Sequence, residues 1–425
     1  LTADAWCAGF IIAKNESTPP LTQAVFSRLR DLQEFDRGLE AEIKMLARQN
    51  TFFHWHLAFP HVFKDPSGDT QPRRSGGFDV VLGNPPWETL QLKEKEFFSF
   101  TSPKIANASN AFARKGLINS LKETSPDLWA SYQAAKRGIE RFSHFLRKSG
   151  SYPLCARGTI NLYTVFTERS QTLINQLGRV GFIVPTGIAT DKNTKDFFKS
   201  ITANERLVSL YSFDHRTSYF GSVQMQFCLL TLTGSDALCT TPKFLFLALT
   251  VTDLRDPHRF FTMTSEEISL LNPNTGNCPV FQNKISKSIT MSIYRHVPVL
   301  YNNNNLEENY WDSSLKRLFD MALDADLFKD RKTFDLENWL LTGNVWRKEN
   351  MLYYPLYEGK MIHHFDHRSS TYENKKFRPL TKQEKTNPSF VAQPRYWVPY
   401  QDVQERTTGL PTCLTGWRNV ARSTD

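Results

Sequence analysis

Long apolar runs are missing from this 425-residue chain. The longest, Phe244 to Val251, falls far short of the about 20 residues that a membrane-spanning helix needs, so no membrane partner is expected. Cysteine is sparse. The six thiols, at positions 7, 155, 228, 239, 278 and 413, form no CxxC or Cys/His ligand spacing, which excludes a disulfide-stapled fold and a zinc module. They read as reduced thiols in a cytosolic protein, and no metal site is expected. A strong excess of one charge is also lacking. Lys and Arg number 52 against 43 Asp and Glu, for a net charge of +9 and a pI of about 9.1. That surplus favours a polyanionic partner, because basic side chains release counterions on meeting phosphates. No internal repeat is found.

What is present suffices for two or three domains with sizeable cores, since 40% of the residues are hydrophobic and 32 are phenylalanine. The chain opens on an apolar segment, Ala5 to Ile12, and ends within polar, unpatterned sequence. Both ends read as cuts within a longer protein.

Apolar residues at helical spacing from Val25 to Leu46 predict one long amphipathic helix over 23–48. Glu42 and Lys44 on it could suggest a nuclease pair. No Pro-Asp strand precedes them, so they read as a solvated face. A loop rich in Pro, Gly, Ser, Asp and Arg covers 65–77. Phe78-Asp79-Val80-Val81-Leu82-Gly83 then reads as a short buried strand ended by glycine. Asn84-Pro85-Pro86-Trp87 follows, and two prolines force a rigid loop at the strand's carboxyl end.

Further on, the pattern predicts helices at about 127–147, at 161–177 closed by Gly178, and at 191–202. Strands are expected at 180–184, ended by Pro185, and at 206–213 and 225–233. Alternating strands and helices through 78–233 argue for a doubly wound α/β sheet with a parallel core. Beyond 235 the alternation fails. Residues 313–329 read as helical, and 335–425 are rich in Trp, Tyr, His and Arg with little periodicity.

The tetrapeptide has a specific chemical use. An exocyclic amine is a poor nucleophile because its lone pair is delocalised into the ring. An enzyme that methylates it needs acceptors to hold the two N–H groups and an aromatic plane to hold a base outside the duplex. Asn84 has a side-chain carbonyl, and Pro85 has a backbone carbonyl with no N–H of its own. Trp87 adds a π-face worth roughly 1–3 kcal/mol of stacking, which offsets much of the cost of extruding a base.

The run Phe78–Trp87 resembles the catalytic motif of amino-group DNA methyltransferases. Asn161-Leu162-Tyr163-Thr164-Val165-Phe166 and Gly181-Phe182-Ile183-Val184-Pro185 resemble the helix and strand that follow that loop in the gamma order of motifs. Tyr219-Phe220 resembles the later motif whose aromatic ring touches the target base, a role that passes to Phe220. Residues 355–367 resemble the junction to the target-recognition region in large type IIG restriction-modification methylases and in phage-defence methylases.

The resemblance implies a prokaryotic N6-adenine DNA methyltransferase that uses S-adenosylmethionine. Its fold would be α/β, a Rossmann-like methyltransferase sheet with helices on both faces, plus an α+β recognition-like C-terminal region. The implied division is a helical first part at 1–77, a catalytic core at 78–250, a helical connector at 251–349 and the start of a target-recognition domain at 350–425. Double-stranded DNA is the implied partner, with a nuclease or helicase fused or associated.

The chain departs from the family in two respects. No Asp-x-x-x-Gly-x-Gly turn follows a strand, and in the gamma order this cofactor-holding turn would lie before Leu1. Residues 53–60 also lack the carboxylate that the family places near the cofactor, so cofactor contacts are unassigned. Cytosine-C5 chemistry is excluded because no Pro-Cys nucleophile is present. Cytosine-N4 methylation, methylation of a protein glutamine amide, and a non-catalytic DNA-binding fragment of a methylase all stay open. The histidines at 363, 364 and 367 read as a polar hinge or phosphate contact.

Overall fold

Asp36 interrupts the long helix expected over 23–48. Its side chain accepts from Leu39 N at 2.7 Å, which starts a new helix at that point. The result is α2 (Gln23–Arg30) and α3 (Arg37–Gln49), packed with α1 (Thr2–Ile11) around Ala5, Ala8, Leu29, Ile43 and Leu46. Leu32 and Phe35, part of the expected stripe, lie outside the described residues, as does most of the 65–77 loop. The computed structural model describes residues 1–12, 21–31, 36–63, 76–108, 110–214, 216, 219–220, 225–305, 307, 316–321, 323–363, 365–411 and 413–416.

Two compact units divide the chain, Leu1–Trp311 and Asp312–Asp425. The first is built on a six-stranded sheet in the order β1-β2-β4-β3-β5-β6. Its strands are β1 (Phe78–Gly83), β2 (Ile174–Pro185), β3 (Leu207–Phe213), β4 (Phe227–Thr233), β5 (Lys243–Ala248) and β6 (Phe261–Thr262). β1, β2, β3 and β5 run one way; β4 and β6 run the other. The sheet is therefore mixed, where a parallel core was expected. β4 enters antiparallel between β2 and β3.

β2 begins earlier than the sequence pattern predicts, and α6 (Leu162–Ser170) ends earlier. Asn175 stands at the start of β2. Its side chain accepts from Leu177 N at 3.0 Å and donates to Asp79 Oδ1 at 2.7 Å. Gly178 thus lies inside a strand and caps no helix. A Cβ there would sit 2.8 Å from Phe78 O, so glycine permits the close approach of β1.

β1 forms where expected, yet it is not buried. It forms one edge of the sheet, and Val80 and Leu82 are 62% and 81% exposed. Among the described residues no strand pairs with its outer side.

α4 (Ala111–Thr124) and the 23-residue α5 (Pro126–Lys148) follow β1, the latter matching the expected helix and burying Tyr132 and Leu146. α7 (Lys195–Ala203) buries Phe197, Phe198 and Ile201 in the main core around the sheet. α8 (Ser265–Leu271) and α9 (Lys284–His296) occupy part of the expected helical connector.

The last part of that connector is not helical. It contributes β7 (Lys329–Asp330), β8 (Leu340–Thr342) and β9 (Val345–Lys348), together with the short α10 (Arg331–Leu336). These strands join β10 (Met351–Pro355) and β13 (Tyr396–Pro399) in a five-stranded sheet of the second unit, and β11 (Ser370–Glu373) and β12 (Lys376–Pro379) form a separate antiparallel pair. The helix expected over 313–329 is also absent among its described residues, which carry only a short 3-10 turn at Ala325–Leu327. Side chains compete with the helical pattern here. Leu323 N donates to Asp320 Oδ1 at 3.1 Å, and Asp320 N donates to Asp324 Oδ2 at 2.7 Å. Arg406, on α11 (Tyr400–Thr407), then fixes this turn through Asp324 at 2.8 Å and Leu318 O at 2.7 Å.

Candidate active site

Asn84, Pro85, Pro86 and Trp87 lie at the carboxyl end of β1, where ligands of open α/β sheets gather. Pro85 is buried and Trp87 half-buried, while Asn84 and Pro86 are exposed. The loop is pinned on its far side. Leu162 N donates to Glu88 O and Leu90 N to Ile160 O, both at 2.8 Å, and Thr89 Oγ1 donates to Asn161 Oδ1 at 2.8 Å. The segment that begins α6 therefore holds the loop in place through residues some 70 positions away.

Trp87 faces inward. Its Nε1 donates to Ile183 O of β2 at 3.3 Å. Its ring meets Phe220 edge to face at 5.1 Å and lies nearly parallel to Phe227 at 6.3 Å. Phe227 in turn stacks on Phe213 at 4.9 Å, and Phe220 meets Phe227 at 4.9 Å. The structure thus brings the sequence-predicted Trp87 and Phe220 together. It adds Phe213 and Phe227, which the sequence pattern marked only as strand residues.

A planar base sandwiched between two rings needs about 7 Å between them, twice a carbon–carbon contact. Phe220 stands nearer than that, at 66° to Trp87.

A cavity of about 520 Å³ opens on the Asn84–Pro85 side of the loop. Its walls include Trp6, Phe53, Trp55 and Phe166, with His56 and Arg169 as polar members. Burial, reinforced by the charge of Arg169, pushes the His56 imidazole below its ordinary pKa. No carboxylate lines the cavity among the described residues. The absence of an acidic residue from 53–60 is offset nearby, because His54 Nε2 pairs with Asp4 Oδ1 of α1 at 2.8 Å. Only the fold could reveal that pair.

These residues do not fit S-adenosylmethionine by themselves. Aromatic faces are present, but no acidic side chain in the cavity is placed to hold a ribose, and Arg169 opposes a sulfonium charge.

Glu168 is a buried carboxylate beside this region. It accepts from Leu154 N at 2.9 Å and Cys155 N at 2.8 Å, and burial raises its pKa against those bonds. Its role is to fasten the turn after α5 to α6.

Other candidate residues fall away from the loop. Glu42 and Lys44 stay on a solvated face, where Lys44 pairs with Glu40 at 2.6 Å. His363 forms a short antiparallel bridge with Asp366, and His364 lies outside the described residues. Among the described residues no group of three or more His, Cys, Asp or Glu is placed to hold a metal.

Comparison with known proteins gives similarity over part of the chain. No curated protein sequence matches the chain significantly. Among solved structures, a type I R-M system has 10% identity and a TM-score of 0.27, covering 49% of this chain and 38% of that one. The type IIG restriction endonuclease BpuSI has 15% identity and a TM-score of 0.27, covering 50% and 27%. A nuclease-deletion mutant of the type ISP restriction-modification enzyme LlaGI has 14% identity and a TM-score of 0.25, covering 45% and 18%. The chain spans a minority of each of these proteins. A family model matches residues 14–125 and 131–220, which include both the loop and Phe220. That model is described as Eco57I restriction-modification methylase, and over those residues the chain is similar to this family.

Proposed function

We propose that this chain carries the base-holding half of a site-specific DNA methyltransferase in a restriction-modification or phage-defence system. The reaction is transfer of a methyl group from S-adenosylmethionine to N6 of an adenine flipped out of duplex DNA. The observation that carries this reading is the placement of Asn84, Pro85 and Trp87 in one loop at the carboxyl end of β1, with Trp87 against Phe220. Asn84 and Pro85 supply carbonyl acceptors for the two amine protons, aligning the nitrogen and localising its lone pair. Trp87, held by Ile183, offers a fixed plane for the base. The net charge of +9 suits a duplex DNA partner. A nuclease or helicase, fused or associated, belongs to the same reading. The residues that hold the cofactor are left unassigned in this reading.

Full-length protein incubated with radiolabelled S-adenosylmethionine and duplex DNA is expected to yield labelled N6-methyladenine after digestion to nucleosides. Labelled N4-methylcytosine, or label found only in protein glutamine, would replace adenine with one of the other substrates. DNA binding without any transfer would leave a scaffold subunit.

Phe220 has its own expected outcome. With 2-aminopurine at the target position, wild-type protein raises the fluorescence as the base leaves the stack. Phe220→Ala is expected to weaken that response about tenfold in protein concentration, the loss of one stacking partner. An unchanged response would make Phe220 a core ring only.

A further inference from the structure

A second cavity, of about 580 Å³, lies at the opposite edge of the first unit's sheet from the Asn84 loop. Most of its lining falls beyond residue 220 and so outside the stretch matched to the methylase family. One wall is aromatic. Tyr211 and Phe260 meet edge to face at 5.3 Å and 80°, and both are half-buried.

The rim is basic. Lys243 stands at the start of β5, and α9 contributes Lys284, Lys287 and Arg295. The helical repeat puts these three on the same side of α9. One carboxylate, Glu267, also lines the cavity, and its charge is already taken. It pairs with Lys287 at 2.6 Å and caps α8 by accepting from Thr264 N at 3.1 Å. Lys243, Lys284 and Arg295 are exposed and form no ion pair among the described residues. Three like charges around one cavity repel one another, and an anion removes that cost.

The space is larger than a lone phosphate requires and falls within the usual range for small-molecule sites. We propose that this cavity binds a nucleotide, with its phosphates on Lys243, Lys284 and Arg295 and its base against Tyr211 and Phe260. The ligand chemistry is a phosphate ester joined to a planar ring. Its source is a free nucleoside polyphosphate or one nucleotide of a DNA strand.

The test uses the full chain and the double variant Lys284→Gln/Arg295→Gln. Both positions are exposed on one helix, and an unchanged melting curve will show that the fold survives. Fluorescent methylanthraniloyl-ATP is expected to bind the wild type saturably and the variant about tenfold or more weakly, as loss of charged hydrogen bonds implies. Displacement by unlabelled ATP identifies a free nucleotide as the source. If only a labelled single-stranded oligonucleotide binds, with the same loss in the variant, the source is a DNA strand. Failure of both probes to bind the wild type, or equal binding by both proteins, overturns the proposal.

Discussion

Replacing Asn84 by alanine in the full-length protein is expected to lower methyl transfer by about a hundredfold to a thousandfold, the usual effect of removing one preorganised polar group from a reacting centre. The arithmetic follows from the position of the residue. Asn84 is exposed at the end of β1 and belongs to none of the hydrophobic clusters. Truncating it should therefore change stability by no more than about 0.5 kcal/mol, as for ordinary surface positions. Asn84 carries no charge to neutralise a phosphate, so duplex binding should persist. Single-turnover methylation and a DNA-binding titration on the same preparation separate the two effects. A variant that still methylates adenine at a near wild-type rate would remove Asn84 from the reacting centre.

Phe334→Ala is expected to destabilise the second unit by about 3–5 kcal/mol. Phe334 is completely buried. It stacks on Trp346 at 4.9 Å and 14°. It also meets Trp339 at 5.3 Å, Tyr353 at 5.0 Å and Trp397 at 5.9 Å, each nearly edge to face. Lys329 lays its ammonium over the same group, 5.2 Å from Tyr353. Removing the central ring leaves a cavity that these large neighbours cannot close by small shifts. Denaturant unfolding followed by tryptophan fluorescence reads the effect directly, since three tryptophans touch the site. Leu336→Ala, on the same helix but 74% exposed, is the control and should move the midpoint little. A loss below about 1 kcal/mol for Phe334→Ala would mean that the aromatic box is not the core of this unit.

That box shows why residues 335–425 had no readable period. The second unit's sheet is made of strands of two to five residues. Strands this short cannot repeat an alternating pattern often enough to stand out from chance. Their core consists of a few large rings drawn from α10, the turn after it, β9, β10 and β13, and only the folded chain brings these together.

Local chemistry was legible in the sequence alone. β1 and the loop after it could be placed because a branched apolar run, a glycine and two prolines restrict their own backbone whatever surrounds them. α5 was visible for a similar reason, since its apolar stripe repeats over six turns. The tetrapeptide could likewise be read as a set of carbonyl acceptors beside an aromatic plane.

Pairing and exposure were decided only by tertiary structure. The antiparallel entry of β4, the open edge of β1, the Asp4–His54 pair and the meeting of Trp87 with Phe220, Phe213 and Phe227 all join residues far apart in sequence. Such contacts depend on which surfaces meet when the sheet assembles, and a strand's own residues do not say whether another strand lies beside it.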